Sequence, residues 1–267
     1  MRMPVRSGVR VVRHSDRRRR ARRRRLLWGG GEVLVTLGVL LMLLVVHQLW
    51  WTNREARRGA ERQVEALERE WAGKGSGGGG RDAPSSAAAS PTAPAAATDS
   101  SHPRTSQRSY VPVVLPRQSQ AYAVLTIPRL GLRVPVAEGV SKADVLNKGY
   151  VGHYRGTQQP GRAGNFALAG HRNTHGEPFR YLPGLRRGDD IEVETRTATY
   201  TYAVDQILPQ TSATDSGVVR PVPRSLVRPA YGYDEPGYYI TLTTCTPEFT
   251  SRYRMVVWGK LTSMRPR

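Results

Sequence analysis

The feature that most constrains this chain is an uncharged apolar stretch near its N-terminus. Residues 33–51, VLVTLGVLLMLLVVHQLWW, carry no formal charge when His47 is counted as neutral. As a helix rising 1.5 Å per residue, the stretch extends about 28 Å, which matches the hydrocarbon thickness of a bilayer. We therefore expect one transmembrane helix here, with the rest of the chain divided between the two sides of a membrane.

The flanks of this stretch predict its orientation. Residues 1–25 contain twelve arginines and one aspartate, more than half of the formal net charge of +20 carried by all 267 residues. Dense arginine before a span marks the cytoplasmic side, and Trp50 and Trp51 suit the aromatic belt at the far interface. We expect a single-pass protein of the cell membrane, with a cytoplasmic N-terminus and its C-terminal bulk outside.

The N-terminal region has two alternative interpretations. A cleaved signal peptide also has a basic segment before an apolar core, but this core is long and no small-x-small cleavage site follows in residues 52–58. The arginine block could also be a nucleic-acid patch. Orientation and attraction to anionic lipid already explain its charge, so we expect an uncleaved anchor and no nucleic acid.

The region after the anchor predicts a stalk and a tether. Within residues 53–72, Val64, Leu67 and Trp71 fall on one side of a helix, a weak apolar stripe that we interpret as part of a solvated stalk rather than a dimer seam. Glycine, alanine, serine and proline then dominate up to about residue 109, a composition typical of a disordered tether. The predicted divisions are a cytoplasmic tail (1–32), an anchor (33–51), a stalk with linker (52–118) and a folded domain (119–263).

The sequence of the folded domain predicts an all-β fold. Short β-like segments separated by glycine, proline and Asp/Asn clusters recur at Ala121–Ile127, Leu132–Ala137, Asn165–Ala169, Ile191–Glu194, Thr199–Ile207, Tyr238–Thr244 and Tyr253–Trp258. The one helix-like piece is Ser141–Lys148, where Ser141 and Asp144 have the spacing of a capping box. This pattern predicts a closed or nearly closed β-barrel with short helices.

The single cysteine, Cys245, ends the apolar and β-branched run Tyr238–Cys245, and Pro247 stops regular strand pairing just beyond it. The thiol should therefore lie at the rim of a strand. One cysteine cannot form an internal disulfide, which leaves an inert thiol, an intermolecular disulfide or a nucleophile. A nucleophilic thiol needs a nearby base or cation.

Two groups of residues could supply these partners. His171 follows a strand that ends in Ala169-Gly170, although a histidine in such a place is more often a structural hydrogen-bonding residue. Arg252 and Arg254 open the final strand, and a guanidinium could hold a peptide carbonyl or a developing oxyanion. For either arginine alone, surface solvation is the simpler interpretation.

Together these features resemble the pattern of sortases from Gram-positive bacteria, most nearly the class E enzymes of high-GC actinobacteria. The resemblance covers about residues 120–262 and rests on Ile127–Leu132 (IPRLGL), Leu168–Arg172 (LAGHR) and Thr241–Pro247 (TLTTCTP) followed by Arg254. It implies a sortase-like β-barrel in which Cys245 is the nucleophile, His171 its imidazole partner and Arg254 the residue that positions the substrate and stabilises the oxyanion. Arg254 is preferred to Arg252 because it leads directly into an apolar strand. Thr244 becomes a candidate substrate contact.

The resemblance also implies a function: a membrane-anchored cysteine transpeptidase. Cys245 would attack a Thr–Gly bond in the C-terminal sorting signal, LAXTG-like or LPXTG-like, of a secreted protein. An amine on a peptidoglycan precursor would then resolve the thioacyl-enzyme. No cofactor is expected. No metal is expected either, because Asp189, Asp190, Glu192 and Glu194 lie along a predicted hairpin where their charges would face solvent.

Two rival functions stay open at the level of sequence. An L,D-transpeptidase also uses cysteine, histidine and arginine, but its Gly-Cys-x-Arg core differs from the Thr244-Cys245-Thr246 found here. A non-catalytic module that binds the cell wall or a peptide, with an inert thiol, is the alternative from a different class. Labelling of Cys245 by a thiol reagent would distinguish that module from an enzyme.

Overall fold

The computed structural model describes residues 14–75 and 115–267, with side chains for 28–73 and 115–267. The chain divides into two compact units, residues 1–52 and 53–267. Residues 76–114, which include nearly all of the predicted tether, and the start of the basic tail lie outside the described residues.

One α-helix, α1 (His14–Gly75), forms the N-terminal part. In the first unit, the large apolar side chains between Val33 and Trp51 are all exposed, each by more than half of its surface. A helix that is apolar on all sides and unburied needs an apolar environment. Its length and composition make it a candidate membrane span.

The second unit is built on eight strands that close into a barrel in the order β1-β2-β3-β4-β7-β8-β6-β5. This confirms the predicted all-β barrel. The strands are β1 (Ala121–Ile127), β2 (Leu132–Glu138), β3 (Val151–His153), β4 (Gly164–Ala169), β5 (Asp190–Thr195), β6 (Ala198–Ser212), β7 (Tyr238–Thr246) and β8 (Tyr253–Pro266).

Alternation along the strands fills the barrel. In β5, Ile191 and Val193 point into the core while Glu192 and Glu194, which alternate with them, stay partly exposed, as expected for a strand with one solvent-facing side. The interior is contiguous and includes Phe166 of β4 and Leu242 of β7. A second apolar cluster around Trp258 covers the outside of β7 and β8.

Two local elements differ from the sequence-based prediction. β3 was missed because three residues are too few to display a period. The predicted helical piece from Ser141 contains only a turn followed by a 3₁₀ helix (Leu146–Lys148). Within the turn the Ser141 hydroxyl accepts a hydrogen bond from the Asp144 amide at 3.3 Å, but it caps no helix, because the 3₁₀ helix follows Val145 and has no side-chain cap.

The stem helix, residues 53–75 of α1, lies against the barrel, so the prediction of a solvated stalk is wrong. Val64 and Leu67 are buried and pack on Val124, with Trp71 beside them. Val124 points outward from β1, where an uncovered strand residue would meet water, yet it is fully buried. The weak apolar stripe therefore has a partner that only the closed barrel creates.

Candidate functional site

Cys245 lies near the C-terminal end of β7, which stops at Thr246 immediately before Pro247. Its thiol is free and half-buried. In the closed barrel, β7 pairs with β4 on one side and with β8 on the other. Residues at the end of β7 therefore have a neighbour on each side.

His171 is carried to Cys245 by the parallel pairing of β4 with β7. The register aligns Ala169 with Thr243, and extending it by two residues sets His171 abreast of Cys245. Neighbouring strands lie about 4.8 Å apart. Beyond the end of β4 the two chains stay joined, because the Gly170 amide donates to the Thr243 carbonyl at 3.1 Å. The structure thus places the predicted histidine two residues beyond the end of β4 and the predicted cysteine near the same end of the adjacent β7.

The His171 imidazole is held in a defined orientation. Its Nε2 lies 2.9 Å from Oδ1 of Asn147, and an amide oxygen can only accept, so Nε2 carries the proton. The ring stacks on His175 with centroids 5.4 Å apart. Burial, followed by the charges of His175 and Lys142, lowers the His171 pKa from 6.5 to about 4. A neutral His171 at neutral pH presents Nδ1 as a proton acceptor.

Arg254 faces Cys245 from the other side. The antiparallel register of β7 and β8 pairs Cys245 directly with Arg254, which puts both side chains on one face of the sheet. The guanidinium donates to the carbonyls of Ser251 and Tyr253 at 2.9 and 3.0 Å. Arg252 precedes β8 and stacks over the Tyr253 ring at 5.2 Å. Of the two arginines, Arg254 is therefore the one in register with the thiol.

A third arginine, to which no role was assigned from sequence, touches the cysteine. Nη1 of Arg172 donates to the Cys245 carbonyl at 3.3 Å and to the Thr246 hydroxyl at 3.0 Å. Its Nε is buried and has no hydrogen-bond partner among the described residues. In the sequence, its position directly after His171 is the signal that could have identified Arg172 as a site residue. Arg172 ties the end of β4 to the end of β7 and adds positive charge beside the thiol.

Thr244 occupies a structural place in this site. It is buried, and its hydroxyl donates to the Gly170 carbonyl at 2.8 Å. This bond joins β7 to the residue immediately before His171. A substrate contact by Thr244 stays a prediction, whereas its contact with the β4 end is present in the structure.

No group of three or more histidine, cysteine or acidic residues able to hold a metal occurs among the described residues. Two of the four acidic side chains near β5 are paired with arginines. Asp189 contacts Arg129 at 3.1 Å, and Glu194 contacts Arg133 at 3.3 Å.

Comparison with known proteins agrees with this geometry. A family model described as Sortase domain matches residues 125–262, slightly more than half of the chain. The chain belongs to the sortase family. That region contains His171, Cys245 and Arg254. It also contains strands β2 to β7 in full, together with the end of β1 and most of β8.

Class E sortases are among the similar proteins. Sortase SrtE1 of Streptomyces coelicolor is 43% identical over 225 residues, which cover 82% of this chain and 52% of that protein. The chain thus spans about half the length of that relative. Sortase SrtE2 of the same organism is 34% identical over 80% of this chain and 73% of its own. The crystal structure of Sortase E1 from Streptomyces coelicolor with a tripeptide in the active site matches with 52% identity and a TM-score of 0.53, covering 57% of this chain and 94% of that one.

Proposed function

We propose that this protein is a membrane-anchored sortase, a cysteine transpeptidase that joins secreted proteins to a cell-wall amine. Membership of the sortase family supports the reaction class. The observation that carries the proposal is the position of Cys245 near the end of β7, beside the end of β4 that leads into His171 and in register with Arg254 of β8.

In the first half of the proposed reaction, the Cys245 sulfur attacks the threonine carbonyl of a Thr–Gly bond while His171 takes the thiol proton. A neutral imidazole is suited to this step, and burial keeps His171 neutral near pH 7. The Arg254 guanidinium stabilises the oxyanion that forms on the carbonyl. The C–N bond then breaks, His171 returns the proton to the departing glycine amine, and a thioester remains on Cys245.

In the second half, an acceptor amine attacks the thioester carbonyl. Its nitrogen loses a proton to His171, the C–S bond breaks, and the proton returns to the sulfur. The products are a new amide bond and the original thiol, so the cycle needs no oxidant, metal or nucleotide. Thioester chemistry stores the energy of the cleaved peptide bond for the new one.

The proposed substrates are secreted proteins with a C-terminal LAXTG-like or LPXTG-like signal, and the proposed acceptor is an amine on a peptidoglycan precursor. The tripeptide in the active site of Sortase E1 from Streptomyces coelicolor supports a peptide substrate. The proposed localisation is a single-pass membrane protein with the barrel outside the cell. The exposed apolar helix residues and the arginines that precede them support this arrangement.

The test uses the full chain in detergent micelles. It is incubated with an LAXTG or LPXTG peptide, with and without a small primary amine, and both protein and peptide are weighed by mass spectrometry. We expect an acyl adduct on Cys245 in the absence of amine and a ligated peptide in its presence. Cys245→Ala should give neither product, and His171→Ala should lower the rate by several orders of magnitude.

Other outcomes would point elsewhere. Action on peptidoglycan stem peptides but not on sorting peptides would indicate an L,D-transpeptidase. A Cys245 that resists thiol reagents in the folded protein would favour a non-catalytic binding module. Loss of activity in chelator that calcium restores would contradict the expected absence of a metal. Retention of activity in Arg254→Ala, but not in Arg252→Ala, would refute the choice between the two arginines.

A further inference from the structure

The loop that follows His171, residues 171–179 and here called the His171 loop, has an unfavourable backbone. Three successive residues, His175, Gly176 and Glu177, adopt positive φ angles of 52°, 83° and 53°. This left-handed conformation suits glycine but is disfavoured for histidine and glutamate. A strained loop of this kind persists only where surrounding contacts hold it, and such loops cluster at functional sites.

The contacts that hold it converge on Glu177. The side chain of this residue is only 4% exposed, so its charge requires partners. Three side chains donate to the carboxylate: Asn53 at 2.8 Å, Arg57 at 3.0 Å and Arg180 at 2.7 Å. Two of the three belong to the stem helix. The loop therefore depends on a segment far from it in the chain.

The stem helix also binds the main chain of the loop. The Gly176 amide donates to the Asn53 side-chain oxygen at 3.3 Å, and Nε of Arg57 donates to the Gly176 carbonyl at 3.1 Å. The stem helix thus fixes the peptide groups on both sides of Gly176. A Cβ at Gly176 would lie 3.4 Å from the Arg57 backbone nitrogen, an ordinary van der Waals distance, so the loop packs directly on the helix.

The stem helix also contacts the segment that carries Asn147, the hydrogen-bond partner of His171. Asn147, whose amide oxygen accepts from the imidazole, lies two residues before Gly149. Gly149 packs so closely on the stem helix that an added Cβ would lie 2.8 Å from the Ala56 carbonyl oxygen. One turn of helix, residues 53–57, thus contacts both segments that orient the imidazole: the Asn147–Gly149 segment and the His171 loop with its stacked His175.

We propose that Asn53, Arg57 and Glu177 form a clamp through which the stem helix positions His171 for acyl transfer. These are positioning residues, and the inference rests on the proposed transpeptidase function. Arg180 extends the clamp toward the nucleophile, because it also contacts Glu248 at 3.3 Å, three residues after Cys245. Breaking the clamp should let the His171 loop relax from its left-handed conformation and move the imidazole.

The test compares Arg57→Ala with Arg58→Ala in the full chain in detergent micelles. Arg58 is the adjacent exposed arginine on the same helix and so controls for loss of charge. We expect Arg57→Ala to lower kcat for acyl-enzyme formation between about tenfold and a hundredfold with KM within about twofold, because a small misplacement of a catalytic group lowers the rate strongly. Hydrogen exchange of residues 171–179 should become faster. Arg57→Lys, which retains the charge, should recover part of kcat, and Arg58→Ala should match the wild type in both readouts.

Asn53→Ala removes one contact with Glu177 and one with Gly176, so it should act in the same direction and serves as the second variant if Arg57→Ala folds poorly. The proposal is overturned if both variants keep the kcat of Arg58→Ala, whether or not loop exchange changes, because the contacts would then be structural alone. Failure of the proposed function would appear differently, as a wild-type chain that forms no acyl-enzyme.

Discussion

Gly170 offers the sharpest test of how the barrel positions the candidate site. It lies between Ala169, the last residue of β4, and His171, and its amide is fixed to the Thr243 carbonyl. A Cβ added there would lie 2.6, 2.9 and 3.0 Å from three carbons of the Phe179 ring. Carbon atoms in good contact are about 3.5–4.0 Å apart, so the ring or the strand end must move.

The size of the effect of Gly170→Ala follows from this packing. Phe179 is fully buried, so its ring has little space to retreat. Forcing extra methyl groups into a packed core typically costs about 1–3 kcal/mol. For a folded unit of this size, each kcal/mol lowers Tm by about 2–4 °C, so we expect a fall of about 2–12 °C. Because the displaced residue precedes His171, acyl transfer should also fall by about tenfold or more.

Thermal unfolding of the full chain followed by circular dichroism provides the measurement. Gly184→Ala is the matched control, because its nearest neighbour would be a Leu130 carbon at 3.7 Å, an ordinary contact. Phe179→Leu should relieve the clash, so the double variant should lose less stability than the two single variants together. If Gly170→Ala unfolds at the same temperature as Gly184→Ala, the close approach of Phe179 does not constrain this residue and the reasoning fails.

Three further predictions follow from the site and its supports. His175→Ala should raise the His171 pKa above about 4, because it removes a neighbouring charge and opens the ring to water, and an NMR titration that finds no rise would contradict this. The folded chain keeps His171 neutral, whereas in the unfolded chain His171 titrates near its ordinary pKa of 6.5. The free energy of unfolding should therefore fall as pH drops from 6.5 toward 4, and this fall should be smaller in His175→Ala than in the wild type. Asp215→Ala leaves the Thr211 hydroxyl and the Leu226 amide without their acceptor, and should cost about 1–3 kcal/mol in denaturant unfolding, with an unchanged midpoint as the contrary result.

The barrel was predictable because its strands carry strong local signals. β1 was predicted with the bounds it has, and β5 within one residue at each end, since a period of two and flanking turn residues mark both. β6 and β8 extend well beyond the predicted segments, to Ser212 and Pro266. The added part of each strand pairs with the predicted part of the other and carries more polar residues, so its strand structure depends on the partner rather than on an apolar pattern.

The stem helix could not be predicted correctly from its own residues. Val64, Leu67 and Trp71 form a stripe too narrow to distinguish a solvated helix from a docked one. The surface that receives it includes Val124, whose outward orientation depends on the register of β1 in the closed barrel. Docking was therefore a property of two segments together, and the contacts of Asn53 and Arg57 with Glu177 follow from that docking.

The candidate site was found in sequence through a family motif because its geometry depends on a pairing that local patterns do not reveal. β4 and β7 are parallel neighbours, yet β5 and β6 separate them in the chain. The parallel β4–β7 register, extended two residues beyond Ala169 and Thr243, aligns His171 with Cys245, whereas the antiparallel β7–β8 pair aligns Arg254 with Cys245 directly. Because β7 pairs with both β4 and β8, the strand register accounts for a candidate partner on each side of Cys245. Arg172 escaped notice for the same reason, since its contact with the Cys245 carbonyl exists only once β4 lies beside β7.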